Sequence, residues 1–170
     1  MMFENVFIVV YLFILPFHLL VPARVLVEGG NFAEFFLSDG QEYHLNNHRL
    51  YYLITKDFRK FSRPQLFYDP GFSAIDATII KTNHISNLSP LTSHPNYVMV
   101  VKDNTRPMRN IKVAFAQSPY GPWSAASEPF TESFTEGPST AKVGDWWYIY
   151  YDSYRHKIYG AHRTKDFKTF

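Results

Sequence analysis

Two acidic residues lie at comparable points ahead of two extended runs of the sequence. Asp76 comes directly before Ala77–Lys81, and Glu136 comes before Gly137–Lys142. Counted back from the lysine that ends each run, the acids lie 5 and 6 residues upstream. If the two carboxyl groups meet in the fold, the charge of one favours a proton on the other, which is what acid–base chemistry needs. The pair is therefore the candidate catalytic set.

A repeated motif indicates how these acids are positioned. Residues 55–61 (TKDFRKF) recur as residues 164–170 (TKDFKTF), and a looser copy occupies residues 117–123. Extended runs precede the copies, and they are Leu50–Ile54, Ala77–Lys81, Tyr97–Val101, Ile111–Ala116, Ser139–Lys142, Trp146–Tyr151 and Ile158–His162. Each later unit therefore contains three strands and an aromatic turn, which is typical of a β-propeller blade.

The repeat predicts an all-β fold, a partial five-bladed β-propeller with about three blades. A β-sandwich is the rival fold, but a sandwich has no reason to repeat a motif at strand ends. The polar stretch 83–96 is interpreted as a loop insertion between the first and second copies. Since the first strand of each blade lines the propeller axis, we expect Asp76 and Glu136 to converge on one funnel.

Composition narrows the possible partners. A net charge of +2 with 19% charged residues gives no polybasic surface, so we expect no nucleic-acid partner. The absence of Cys excludes thiol nucleophiles, Cys-ligated zinc and disulfides, and the 7 His lack zinc-site spacing, so no metal and no cofactor are expected. The many aromatic residues suit strands and also surfaces that stack on sugar rings.

The N-terminal run Val6–Val21 is almost entirely apolar. It is short for a membrane span and is interrupted by Pro16 and His18, so residues 1–23 are predicted to be a signal peptide and residues 24–170 the domain. Secretion without stable membrane insertion follows. The residues before this run contain Glu4 and no Lys or Arg, whereas a signal peptide usually begins with positive charge. A membrane anchor or a mis-assigned start is therefore the alternative.

Several stretches resemble the family-43 glycoside hydrolases, the arabinofuranosidase and xylosidase group with five-bladed propellers. They are YYLITKDFRKFS (51–62), FYDPGFSAIDATIIK (67–81), FAQSPYGPWS (115–124) and the segment 134–170 that begins FTEGPSTAK. The resemblance implies an inverting hydrolase with an Asp base, an Asp that adjusts the protonation of the acid, and a Glu general acid. Asp76 matches the adjusting Asp, and Glu136 matches the general acid.

The sequence departs from the family pattern at the general base. The family places this Asp in an R-D-P-like segment upstream of the strand that here begins near Arg49, and residues 35–48 contain no such segment. Asp39 lies in a Ser-Asp-Gly turn and Asp57 belongs to the repeat, so neither is a good base. Because the third copy ends at residue 170, we expect a truncated or internally deleted relative, with unpaired edge strands and poor solubility or self-association.

Further residues at strand ends are candidates for sugar binding. These predicted substrate-binding residues are Phe72, Lys102, Asp103, Asp152, Tyr154 and Arg155. Solvated hairpin turns explain the polar ones nearly as well, and packing between blades is the commoner fate of Phe72 and of Trp146.

The sequence thus predicts an enzyme that hydrolyses glycosidic bonds in arabinose- or xylose-containing plant polysaccharides. Its partner would be a polysaccharide or oligosaccharide substrate, and its activity would be impaired by the missing base segment. The alternative is a non-catalytic carbohydrate-binding or inactive remnant of such an enzyme. A third interpretation, a protein-interaction module like those of other propellers, is supported by analogy of fold alone.

Overall fold

The computed structural model describes residues 8–14, 19–26, 32–37, 48–55, 59–60, 62–82 and 96–170. Before residue 48 and at residues 53–55 the description covers the backbone alone. The predicted insertion 83–96, apart from Asn96, lies outside the described residues, as do Asp39 and Asp57.

Within these ranges the protein is all-β, as predicted, and contains no helix. The strands are β1 Ile8–Ile14, β2 Leu19–Leu26, β3 Phe32–Leu37, β4 Leu50–Thr55, β5 Gln65–Tyr68, β6 Ala74–Lys81, β7 Tyr97–Asp103, β8 Asn110–Ala116, β9 Thr135–Val143, β10 Trp146–Ser153 and β11 Ile158–Thr164. All the runs predicted to be extended are strands. Over the described part of the chain there is accordingly no helix that could span a membrane.

The chain divides into two compact units, Met1–Ile75 and Asp76–Phe170. The first contains a five-stranded sheet in the order β2-β1-β3-β4-β5. Its β1–β3 pair is parallel, unlike the antiparallel pairs of a blade. Strand β1 and the first part of β2 lie in the segment predicted to be a signal peptide, and that assignment stays a prediction.

The second unit contains two three-stranded sheets. The middle sheet has the order β6-β7-β8 and the last sheet the order β9-β10-β11. Strand β7 pairs with β8 over the same number of residues as β10 pairs with β11, from Tyr97–Ala116 to Asp103–Asn110 in one case and from Trp147–Thr164 to Ser153–Ile158 in the other. This structural repeat agrees with a partial β-propeller, and the number of blades stays a prediction.

An apolar core joins the middle and last sheets. Alternation in β10 places Ile149 and Tyr151 on the inner face of the last sheet, while Tyr150 is exposed. The core cluster consists of Ile80, Val98, Val100, Ile111, Val113, Ile149, Tyr151 and Phe167. Thr78 adds a polar link because its hydroxyl donates to the carbonyl of Pro138 over 2.7 Å, which connects β6 to β9.

Residues 124–131, which the sequence analysis did not identify as ordered, run along the free edge of β8. Their backbone N–H groups donate to β8 carbonyls, and their side-chain hydroxyls accept from β8 N–H groups. The pairs are Ser124 with Phe115 and Ser127 with Val113 in both directions, then Phe130 N–H to the Ile111 carbonyl and Ile111 N–H to the Thr131 hydroxyl. We call these residues the edge segment. It satisfies the outer backbone groups of β8 without forming a regular strand.

The repeated motif forms an aromatic anchor at the end of β11. The hydroxyl of Thr164 accepts from the backbone N–H of Phe167 over 2.8 Å, which turns the chain back. The Phe167 ring is fully buried, and its centroid lies 5.5 Å from that of Trp147. This copy of the motif therefore closes the last sheet with a buried ring.

We expect Phe167→Ala to lower the free energy of unfolding by about 3–5 kcal/mol, because removing the buried ring leaves a cavity in the core. Phe170→Ala is the matched control, because Phe170 is 37% exposed and stacks on Phe130 at the surface. That control should cost about 1 kcal/mol. Urea denaturation of both variants tests the difference, and equal losses would contradict the role of the anchor.

Candidate functional site

A buried lysine lies at the centre of the candidate site. Lys102, near the end of β7, is 2% exposed, and its Nζ donates to Oε2 of Glu136 over 2.7 Å. A buried ammonium is costly unless it is paired, so the carboxylate compensates its desolvation. The Glu136 side chain is 42% exposed, so its carboxylate remains open to a ligand.

Asp76 lies beside this ion pair. One of its carboxylate oxygens, Oδ2, accepts from the backbone N–H of Gly137 over 3.3 Å, which joins β6 to the residue after Glu136. The structure therefore brings the two predicted catalytic acids together. Their catalytic roles stay predictions.

The surroundings of Asp76 shift its pKa in both directions. Burial raises the pKa of Asp76 above its usual 3.8. The ammonium of Lys102 and the hydrogen bond from Gly137 act in the opposite direction, and repulsion from Glu136 adds to the rise. Because burial dominates, the pKa of Asp76 is raised overall.

Unusual backbone geometry surrounds both acids. Asp76 has φ 52° inside strand β6, a left-handed conformation that Asp tolerates better than most residues. Phe134 and Gly137, on either side of Glu136, have φ 66° and 58°. The register of β9 against β10 shifts at this level, as in a β-bulge. Strained conformations of this kind are concentrated at functional sites.

The chain before Glu136 is held by the turn between β7 and β8. Phe134 N–H donates to the carbonyls of Met108 and Arg109 over 2.9 and 2.8 Å, and Thr135 N–H donates to Arg109 over 3.1 Å. The guanidinium of Arg155 lies 3.3 Å from the centre of the Phe134 ring. These contacts fix the start of β9, and with it the position of Glu136.

Two more predicted binding residues lie near this carboxylate. Asp152 is the direct register partner of Glu136 in the β9–β10 pair. The Tyr154 ring lies 5.4 Å from Lys102 Nζ, and its hydroxyl is buried. No described residue forms a hydrogen bond with that hydroxyl. The predicted residues Lys102, Asp152 and Tyr154 are thus grouped around Glu136. Arg155 lies over the ring of Phe134, two residues before Glu136.

Other predicted residues have local partners. Asp103 pairs with Lys112 over 3.0 Å and accepts from the N–H of Thr105, as expected of a hairpin turn. Phe72 belongs to the first unit and is partly buried. Trp146 lies at the opposite end of β10 from Asp152, about 20 Å along the strand. The binding roles of Phe72 and Asp103 stay predictions.

The sequence analysis missed three features of this site. It did not predict the ion pair between the ammonium of Lys102 and Glu136, and the sugar-binding role of Lys102 stays a prediction. It did not identify Phe134 or the backbone N–H of Gly137 as parts of the site. The Gly-Pro pair after Glu136 was the available signal, because glycine readily adopts the positive φ found at residue 137.

Two neighbouring sheets of this all-β fold bring together an aspartate and a glutamate, the residue types that glycoside hydrolases use as catalytic carboxyl groups. Residues 31–170 match the model of a family described as a probable glycosyl hydrolase domain and related to glycoside hydrolase family 43. The chain belongs to this family, which confirms the resemblance noted in the sequence. No curated protein matches the chain.

Replacing Lys102 by Met should raise the pKa of Asp76 further, because the ammonium of Lys102 lowers it. The measurement is an NMR titration of the Asp76 side-chain carboxyl carbon in both proteins. Lys112→Met removes an ammonium that is paired with Asp103 instead and should leave the titration of Asp76 unchanged. A fall in the pKa of Asp76 in Lys102→Met would contradict the arrangement.

Asp76→Asn should stabilise the protein at neutral pH. Because the folded pKa of Asp76 is raised, its stabilising contribution is complete below the unfolded value of 3.8 and is lost as the pH rises through the folded pKa. Asn stays neutral, and its carbonyl can still accept from Gly137. The advantage of the variant over wild type should therefore grow from pH 4 to pH 8 in urea denaturation.

The matched control is Asp145→Asn, in the exposed turn between β9 and β10. Its stability relative to wild type should not follow the same pH dependence. An Asp76→Asn variant that is less stable than wild type throughout this range would show that the carboxylate contributes more than its burial costs.

Proposed function

We propose that the chain hydrolyses glycosidic bonds in arabinose- or xylose-containing plant polysaccharides by an inverting mechanism. Glu136 would act as general acid, and Asp76 would adjust its protonation. The observation that carries the proposal is the contact between the Asp76 carboxylate and the Gly137 N–H, which holds the two acids side by side. Membership of a glycosyl hydrolase family supports hydrolysis, and the type of sugar comes from the sequence resemblance alone.

In this mechanism Glu136 gives its proton to the glycosidic oxygen as the bond from that oxygen to the anomeric carbon breaks. The bonding electrons stay on the oxygen, and water attacks the opposite face of the sugar ring. A base accepts the proton of the water from about 6.5–9.5 Å away, so that the product has the opposite anomeric configuration. We assign no residue to this base. Turnover is proposed to be impaired, since residues 35–48 lack the R-D-P-like segment.

Substrate must change the hydrogen bonding of Glu136. Its Oε2 now accepts from the ammonium of Lys102, whereas an acid must donate toward the leaving oxygen. The exposure of the Glu136 side chain leaves room for the second role while Lys102 remains buried. Asp152 and Tyr154, at the end of β10, are proposed to bind sugar hydroxyls beside this carboxylate.

A polymeric plant substrate lies outside the cell, so we also propose that the chain is secreted. The apolar run Val6–Val21 supports this part of the proposal.

A second candidate function is carbohydrate binding without hydrolysis. The observation that favours it is the ion pair between Lys102 and Glu136, because a buried ammonium that needs its carboxylate also suits a purely structural role. In this case the exposed polar groups near Glu136 would bind sugar, and no water would be activated.

The test is hydrolysis of aryl-arabinofuranosides and aryl-xylosides by the full chain. Glu136→Gln should lower the rate about 100- to 10,000-fold, because it removes the transferable proton. Glu128→Gln is the matched control, since Glu128 lies exposed in the edge segment, and it should match wild type. NMR of the first product formed should show the inverted anomer.

The outcomes separate the two candidates. Equal turnover by wild type and Glu136→Gln would reject the assignment of the acid. Absence of turnover with calorimetrically measured binding of arabinoxylan oligosaccharides would favour the binding function. Absence of both would reject both candidates.

A further inference from the structure

Arg155 presents its guanidinium in a fixed orientation beside the candidate site. The centre of the guanidinium lies 3.3 Å from the centre of the Phe134 ring. At this separation the guanidinium must lie nearly flat on the ring, because an edge-on arrangement would push a nitrogen into the ring carbons. A guanidinium that lies flat directs its N–H groups sideways, past the edge of the ring. The donors of Arg155 can therefore bind a ligand without leaving the stack.

The ring beneath Arg155 is held in place by the middle sheet. The backbone N–H of Phe134 donates to two carbonyls of the turn between β7 and β8. The neighbouring ring of Tyr154 lies edge to face with the Phe134 ring, with the centroids 6.2 Å apart, and its centroid is 5.4 Å from Nζ of Lys102. These contacts attach the stack of Arg155 on Phe134 to the side of the last sheet that meets the middle sheet, where Glu136 also lies.

The two turns at this end of the second unit are basic. Residues 104–109 and 154–157 contain three Arg, one Lys and one His, and they contain no Asp or Glu. The exposed Arg and Lys residues in these turns are Arg106, Arg155 and Lys157. Both turns adjoin Phe134, so positive charge is concentrated around the ring on which Arg155 is stacked.

The acidic residues nearby already have partners. Glu136 and Asp103 each pair with a lysine, over 2.7 and 3.0 Å. The carboxylate of Glu132 accepts from the hydroxyl of Ser153 over 2.8 Å. No described Asp or Glu forms an ion pair with Arg155. Over the described part of the chain, the charge of this arginine is therefore left for an anion from elsewhere.

We propose that Arg155 recognises a carboxylate on the substrate, so that the chain prefers polysaccharides that carry uronic acid. This inference rests on the proposed function and narrows its substrate class. Two N–H groups of a guanidinium match the two oxygens of a carboxylate, and a stacked arginine is already oriented for this pairing. Phe134 lies two residues before Glu136, about 7 Å along the chain. The carboxylate therefore belongs to a sugar residue close to the bond that is cleaved.

The test compares two oligosaccharides that differ in one carboxyl group. The first is a xylo-oligosaccharide with a glucuronic acid branch, and the second is the same molecule after reduction of that carboxyl group to a hydroxymethyl group. Calorimetric titration of the full chain gives the Kd of each, so the readout does not depend on turnover. Wild type should bind the acidic oligosaccharide about tenfold or more tightly, because charge-assisted hydrogen bonds are the stronger ones. Added NaCl should narrow the difference.

Variants of Arg155 connect the preference to this side chain. Arg155→Gln removes both the charge and the paired donors, so the ratio of the two Kd values should fall to about one. Arg155→Lys keeps the charge without the paired donors and should give an intermediate ratio. Arg163→Gln is the matched control, because Arg163 is exposed and lies at the opposite end of β11. This control should keep the ratio of wild type.

The outcomes distinguish failure of this inference from failure of the proposed function. Equal Kd values for the two oligosaccharides in wild type would overturn the inference alone, because hydrolysis and its loss in Glu136→Gln are measured separately. A preference that Arg155→Gln retains would likewise reject the role of Arg155. Binding of neither oligosaccharide would reject the inference together with the proposed substrate. If inorganic phosphate displaces the acidic oligosaccharide as well as free glucuronate does, the site binds anions in general, and the assignment to a carboxylate is wrong.

Discussion

The ion pair between Lys102 and Glu136 is the constraint on which the second unit depends. An ammonium buried on β7 requires a carboxylate as its partner, and Glu136, the second residue of β9, supplies it. The pairing therefore fixes the level at which the last sheet meets the middle sheet. The bond from the Thr78 hydroxyl to Pro138 holds the same level two residues further along. The same contacts therefore position the two acids and hold the middle and last sheets together.

Much of this arrangement could be predicted from the sequence. Runs rich in β-branched and aromatic residues form strands, and the recurring Thr-Lys-Asp-Phe motif marks the ends of strands β4 and β11. Counting back from Lys81 and Lys142 identified Asp76 and Glu136 as neighbours, because both runs start strands of adjacent sheets. These successes share one cause, which is that strand periodicity and repeat register are local properties of the chain.

The features that could not be predicted depend on contacts between distant residues. Lys102 and Glu136 are 34 residues apart, and nothing near Lys102 shows that its ammonium is buried. The edge segment has the composition of a loop, with Ser, Ala and Pro, and becomes ordered only because β8 offers unpaired backbone groups. Positive φ at Asp76 is likewise a response to the sheet around it, since Asp in a strand gives no local signal of this conformation.

The edge segment also limits how copies of this protein can assemble. Strand addition needs a row of free N–H and C=O groups, and along β8 those groups already bond to Ser124, Ser127, Phe130 and Thr131. A sheet sealed in this way cannot lengthen by adding strands from another chain at that edge. Fibrous growth by strand addition at β8 is thereby blocked.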